Sequence, residues 1–199
     1  MATSMRWTIA DTVLFPENDG NRYEIIDGEL YVSTQPDWRH QYVCVQFGHA
    51  LSTWSAPTKA GIVIAAPGVI FSKDNAVAPD ILWVSQARMR LVLRNDGKLH
   101  AAPDLVIEVL SPGRKNERRD RDVKLDLYSR RGVREYWIVN WQDRYIEVYR
   151  RQEAELRLSG TLYAKDTLQS VLLPGFSAQV EHFFVDIPTE LDDPELDPD

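Results

Sequence analysis

The stretch PDLVIEVLSPG, residues 103–113, sets a glutamate inside an apolar run. Leu105, Val106, Ile107, Val109 and Leu110 surround Glu108, and the run has the length and β-branched content of a buried strand rather than of a helix. An ionised carboxylate buried without a partner costs roughly several kcal/mol even after the protein relaxes around it. Any fold this chain adopts must therefore bring positive charge to Glu108. Either a basic side chain or a metal ion would serve.

The next residues are rich in candidates. Ser111-Pro112-Gly113 closes the strand, because proline cannot continue a central ladder and glycine opens a turn. Residues 116–131 then read as a charged amphipathic helix stopped by Gly132. From Gly113 to Arg134 there are nine bases against four acids. Such a charge run is ordinarily a solvated helix face; its place directly after the buried acid makes phosphate binding worth testing. Lys124 lies at the edge of the apolar face beside Val123 and Leu127, one turn after Asp120 and one turn before Tyr128. From there its stem can cover the core and its ammonium can enter a cleft. A solvated pairing with Asp120 is the competing expectation.

The net charge of −7 argues against a nucleic-acid partner until it is localised. The last twelve residues, PTELDDPELDPD, carry six acids and no base, which leaves 24 acids against 23 bases elsewhere. Residues 1–187 are expected to form a single domain, and 188–199 an acidic, disordered tail. No stretch approaches the roughly 18 to 20 apolar residues of a membrane span, and the start lacks the apolar segment of a secretory signal. A cytoplasmic protein without membrane contact is expected. Cys44 is the only cysteine, which excludes an internal disulfide and a cysteine-rich zinc site and leaves it as a small apolar packing residue.

Upstream, RYEIIDGELYVS reads as a hairpin about Asp27-Gly28. Alternation puts Tyr23, Ile25, Leu30 and Val32 on one face, expected to be core, and Glu24, Ile26, Glu29 and Tyr31 on the other. Glu24 on that second face could assist a metal, although hairpin acids are usually solvated. Helical spacing over residues 37–54 predicts an amphipathic helix with His40 in its first turn, where a capping or surface role is expected ahead of a catalytic or substrate one. The tryptophans at 38, 54, 83, 137 and 141 are expected in core or interface positions. Strands are expected at 61–65, 68–72, 80–84, 104–110, 135–139 and 145–149, giving an α/β (α+β) fold: a central mixed β-sheet flanked by helices.

VAPDILWV, residues 77–84, echoes AAPDLVIEV, residues 101–109. In each, proline fixes an extended entry and the aspartate, Asp80 or Asp104, opens the strand. Asp104 shares a face with Glu108 but lies about 13 Å along the strand from it, too far for one ion. Asp80 can meet Glu108 if its strand runs alongside in the right register; capping of local amides is the plain alternative.

The order and spacing of RYEIIDGEL, the helix near His40, VAPDILWV, APDLVIEVLSP, Arg118 through Lys124 to Tyr128, and GVREYWIVN carry a resemblance over nearly the whole chain, to about Asp186. The chain resembles the restriction-endonuclease-like PD-(D/E)XK superfamily, and more closely a bacterial family of small restriction-endonuclease-like chains with a migrated catalytic lysine. The resemblance implies Asp80 and Glu108 as metal-binding catalytic acids. It departs at the third element: Leu110, not lysine, stands two residues after Glu108, and Lys124 is the matching position. The resemblance further implies a Mg2+-dependent endonuclease, with Mn2+ as a substitute, that hydrolyses phosphodiester bonds in DNA as a homodimer. A non-catalytic nucleic-acid-binding or regulatory module that retains the nuclease fold is the alternative.

Overall fold

The computed structural model describes residues 5–16 and 19–188, so the expected acidic tail lies, from residue 189 onward, outside the described residues. After a 3-10 turn at Ile9–Leu14 come β1 (Arg22–Ile26), β2 (Glu29–Ser33), α1 (Trp38–Thr58), β3 (Gly61–Ala65), β4 (Val69–Ser72), β5 (Asn75–Val77), β6 (Ile81–Ser85), the four-residue α2 (Met89–Val92) and β7 (Leu105–Val109). One continuous helical rod comes next, made of α3 (Arg114–Arg118), a π-helical stretch (Arg119–Lys124) and α4 (Leu125–Arg131). There follow β8 (Glu135–Asn140), β9 (Tyr145–Gln152), β10 (Glu155–Leu162), the pair β11 (Thr167–Gln169) and β12 (Ser177–Gln179), and a 3-10 turn at Val180–Phe183.

Six strands form the main sheet in the order β10-β9-β8-β7-β6-β3. Only β7 and β8 pair in parallel, and the helical rod is the crossover that a parallel pair needs. Every residue of β7 and β8 is buried, as expected of central strands covered on both faces. Alternation divides their side chains cleanly. Leu105, Ile107, Val109, Trp137 and Val139 pack with Val43, Phe47 and Leu51 of α1. Val106, Tyr136 and Ile138 pack on the opposite face with Leu127 and Tyr128 of α4 and with Ile26, Val69 and Val77 of a second sheet. That sheet has the order β2-β1-β5-β4. Among the described residues, no helix is long and apolar enough to cross a membrane.

The hairpin forms with the expected register, Ile26 opposite Glu29 and Ile25 opposite Leu30. Its faces are used differently from expectation. Val32 is exposed, whereas Glu24 and Ile26 are buried and Tyr31 packs in the second core. The second sheet lies against the helical rod, so the face carrying Glu24 turns inward. β5, β10 and the β11-β12 pair have no counterpart in the expected strands. β5 and β11 are three residues each, and β10 is an edge strand with mixed polarity and a bulge between Leu158 and Gly160.

β3 approaches β6 so closely at Gly61 that a Cβ there would overlap the Val84 carbonyl oxygen. Gly61→Ala is expected to lower stability by about 1–3 kcal/mol, the range for overpacking. Urea unfolding should show a lower midpoint with unchanged slope.

Candidate active site

Glu108 sits at the end of β7 with a basic partner from the following helix. Its Oε1 accepts hydrogen bonds from Lys124 Nζ at 2.9 Å and from the Tyr128 hydroxyl at 2.8 Å. Lys124 is shared: Nζ lies 3.0 Å from Glu24 Oε1 and 3.6 Å from Asp120 Oδ1. All four charged side chains are essentially inaccessible, at 1 or 2% exposure. The Ala78 amide donates to Glu24 Oε1 at 2.9 Å, and Arg119 pairs with Asp120 at 3.0 Å.

Asp120 and Lys124, four residues apart, share one face of the rod and both point inward, and they lie within the π stretch. It widens the helix for one turn, and such insertions disturb the regular i→i−4 ladder. Tyr136 of β8 donates its hydroxyl to the Asp120 carbonyl at 3.0 Å, supplying a buried partner at the wide turn.

Asp80 lies one residue beyond the antiparallel run in which Ile81 faces Ile107. Extending that register sets it opposite Glu108, and opposed residues project from the same side of a sheet. Asp80 Oδ2 accepts from the Val109 amide at 2.9 Å and lies 3.2 Å from His40 Nε2; Oδ1 meets Arg22 Nη1 at 2.9 Å. Asp80 and Glu108 line one narrow cleft together with Arg22, His40, Arg119 and Ser111. Lys124 is not on its wall and stands behind Glu108. Asp104, the echo of Asp80, does not join them. It accepts from the Ser85 amide at 2.8 Å and from Arg134 at 3.2 Å, at the opposite end of β7.

The two cleft carboxyls are held in different protonation regimes. Burial disfavours ionised Asp80, but His40, Arg22 and Lys124 outweigh it and hold the carboxyl below the usual carboxylate range. For Glu108 burial dominates: Lys124 opposes it, while Asp80, Asp120 and Glu24 add to it, and the carboxyl is pushed above that range. Among the described residues nothing donates a hydrogen bond to Glu108 Oε2. His40, Cys44 and Asp80 also converge, with ligand atoms within 4.8 Å of one another. Burial pushes the Cys44 thiol far up, so it remains protonated and is a poor ligand there.

Four cleft or cluster residues were not expected in these places. His40 is buried rather than at the surface, and Glu24 is sealed under the second sheet. Arg22 and Arg119 carried no distinguishing signal beyond lying near the hairpin and in the basic run. The basic helix is also less available than its charge suggests. Arg119, Arg121, Arg130 and Arg134 are engaged with Asp120, Glu147, Asp27 and Asp104 respectively. Arg114 and Lys115, at the exposed start of α3, form no ion pair among the described residues.

Lys124→Met is expected to destabilise the protein by about 3–5 kcal/mol, because it leaves buried acids without their cation. Tyr128→Phe removes one donor and should cost about 1–2 kcal/mol. Chemical denaturation of the two variants checks the ranking; equal losses would mean that the ammonium is not the organising charge.

A family model described as "Uma2: Putative restriction endonuclease" matches residues 9–181. No protein of curated function matches the sequence. Among solved structures, the chain is similar to a putative nuclease belonging to DUF820 from Anabaena variabilis ATCC 29413. The TM-score is 0.70 at 17% identity, over 89% of this chain and 97% of that one. It also matches the type IIG restriction endonuclease BpuSI at a TM-score of 0.42 and 11% identity, over 78% of this chain but only 18% of that enzyme. With the family model spanning most of the sequence and the fold shared with the first of these structures, the chain belongs to the Uma2 family of the restriction-endonuclease-like superfamily.

Proposed function

We propose that the protein is a Mg2+-dependent endonuclease that hydrolyses phosphodiester bonds in DNA at the cleft between Asp80 and Glu108. The observation that supports this best is the meeting of two carboxyls from neighbouring strands on one cleft, with Lys124 directly behind the second. The donor set fits a hard cation. Asp80 is held ionised, and Glu108 keeps Oε2 free of hydrogen bonds from the described residues. Mg2+ prefers oxygen ligands and is commonly held by one or two carboxylates, and Mn2+ suits the same oxygen set. Bound there, the cation would supply neutralisation of phosphate charge and a water more acidic than bulk water.

The chain's own residues have separate tasks in this reading. The Val109 amide and His40 fix the Asp80 carboxylate from within, at Oδ2. Lys124 and Tyr128 orient Glu108 through Oε1 and direct Oε2 elsewhere. In this conformation Lys124 acts on Glu108, with no exposed ammonium to offer a phosphate. Arg22 and Arg119 are the cations on the cleft wall. A homodimer suits a duplex with two strands to cut.

One observation favours the alternative, a non-catalytic nucleic-acid-binding module: Lys124, Arg22 and Arg119 already pair with the buried acids. Cleavage of supercoiled plasmid, single strands and RNA in Mg2+, Mn2+ or EDTA separates the two readings. Asp80→Asn and Glu108→Gln are each expected to reduce Mg2+-dependent DNA cleavage at least ~10²-fold with an unchanged circular dichroism spectrum. Either variant cutting at the wild-type rate would remove that carboxyl from the chemistry, and wild-type protein that binds DNA but never cuts it would favour the module. Because most of the basic helix is already paired, the salt dependence of DNA binding should correspond to roughly 2–4 phosphate contacts rather than nine.

A further inference from the structure

Asp80 is approached from two directions. The Val109 amide and His40 hold Oδ2 from the interior, at 2.9 and 3.2 Å. Arg22 reaches Oδ1 from the solvent side: Nη1 lies 2.9 Å from the carboxylate and 3.1 Å from the Ala78 carbonyl oxygen. Arg22 is 30% exposed, whereas the carboxyl it covers is 5% exposed. The guanidinium thus lies between Asp80 Oδ1 and the open cleft.

Charge decides whether that contact can coexist with a divalent cation. With Glu108 counted as ionised, the form in which it would hold a cation, the acids Glu24, Asp80, Glu108 and Asp120 face Arg22, Arg119 and Lys124 and leave at most one net negative charge. Adding two positive charges would reverse the sign of the cluster in a poorly screened setting. An arginine cannot relieve this by losing its proton; it has to move. Lys124 is sealed, and Arg119 is tied to Asp120 by two hydrogen bonds at 3.0 and 3.4 Å. Arg22, partly exposed and weakly hydrated, is the cation with room to swing into solvent.

We propose that Arg22 is the resident cation of Asp80 and that a divalent ion binds the cleft only by displacing it. Arg22 is then a positioning residue that keeps the acid oriented before loading and sets the cation concentration at which loading occurs. The inference rests on the proposed cation site, and its test tells the two apart.

Calorimetric titration of the full chain with Mn2+, for wild type, Arg22→Gln and Arg22→Lys, is the direct measurement. Arg22→Gln is expected to bind Mn2+ at least ~10-fold more tightly than wild type, with Arg22→Lys between them. Affinities for wild type and Arg22→Gln within twofold of each other would overturn the role of Arg22 while leaving the cation site standing. No binding by any of the three would overturn both. A measurement on wild type alone guards against a variant that fails to fold: modification by phenylglyoxal, mapped by mass spectrometry. Mn2+ should raise labelling of Arg22 several-fold and leave Arg119 unchanged; constant labelling of Arg22 across a saturating titration would overturn the displacement.

Discussion

One ammonium group organises the interior of this protein. Lys124 meets Glu24, Glu108 and Asp120 in a space from which water is nearly excluded. Taking a single charge out of water has an effective penalty of roughly several kcal/mol, and the attraction inside offsets it only when geometry and hydrogen bonding are good. Here the Tyr128 hydroxyl, the Ala78 amide and the Arg119 guanidinium add hydrogen bonds to the same three oxygens that the lysine meets. A buried charge cluster of this kind is weak evidence of extra stability. It is better evidence that one arrangement of the surrounding elements is selected over its neighbours.

The members come from three places: Glu24 from the hairpin, Glu108 from the central strand, Lys124 and Asp120 from the crossover rod. The second sheet therefore contributes more than an apolar lid, Phe71 of β4 included, over Tyr128. The same crossover that makes β7 and β8 parallel delivers the lysine to the acid on β7, so topology and electrostatics are settled by one segment. The cleft lies at the end of that unit, where β6 begins and β7 stops, and α1 brings in His40.

Much of this was legible in the chain itself. Glu108 declared itself because an acid amid branched apolar residues demands a partner, and the run around it read as a buried strand, which it is. Asp80 and Lys124 came from spacing joined to family resemblance, and the register puts Asp80 opposite Glu108. What stayed hidden depended on contacts distant in sequence. Glu24 looked like a solvated hairpin acid because nothing in RYEIIDGEL reveals that a helix more than ninety residues later will cover it. His40 and Arg22 are ordinary residues until Asp80, more than thirty positions away, is placed beside them. Charge counting also overstated the free surface of the basic run, since pairing partners such as Glu147 and Asp104 are brought in only by the folded sheet.

The wide turn at Arg119–Lys124 bears on how relatives of this chain should be compared. A rod that takes in one residue more than a regular coil allows changes the angular count for everything downstream, so side chains on either side of the turn obey separate phases. Matching by fixed offset from the acid would then nominate the wrong position in any cousin whose rod is wound evenly throughout. The dependable anchor is spatial: whichever amine rises beneath the carboxyl at the strand's end, however many letters separate the two.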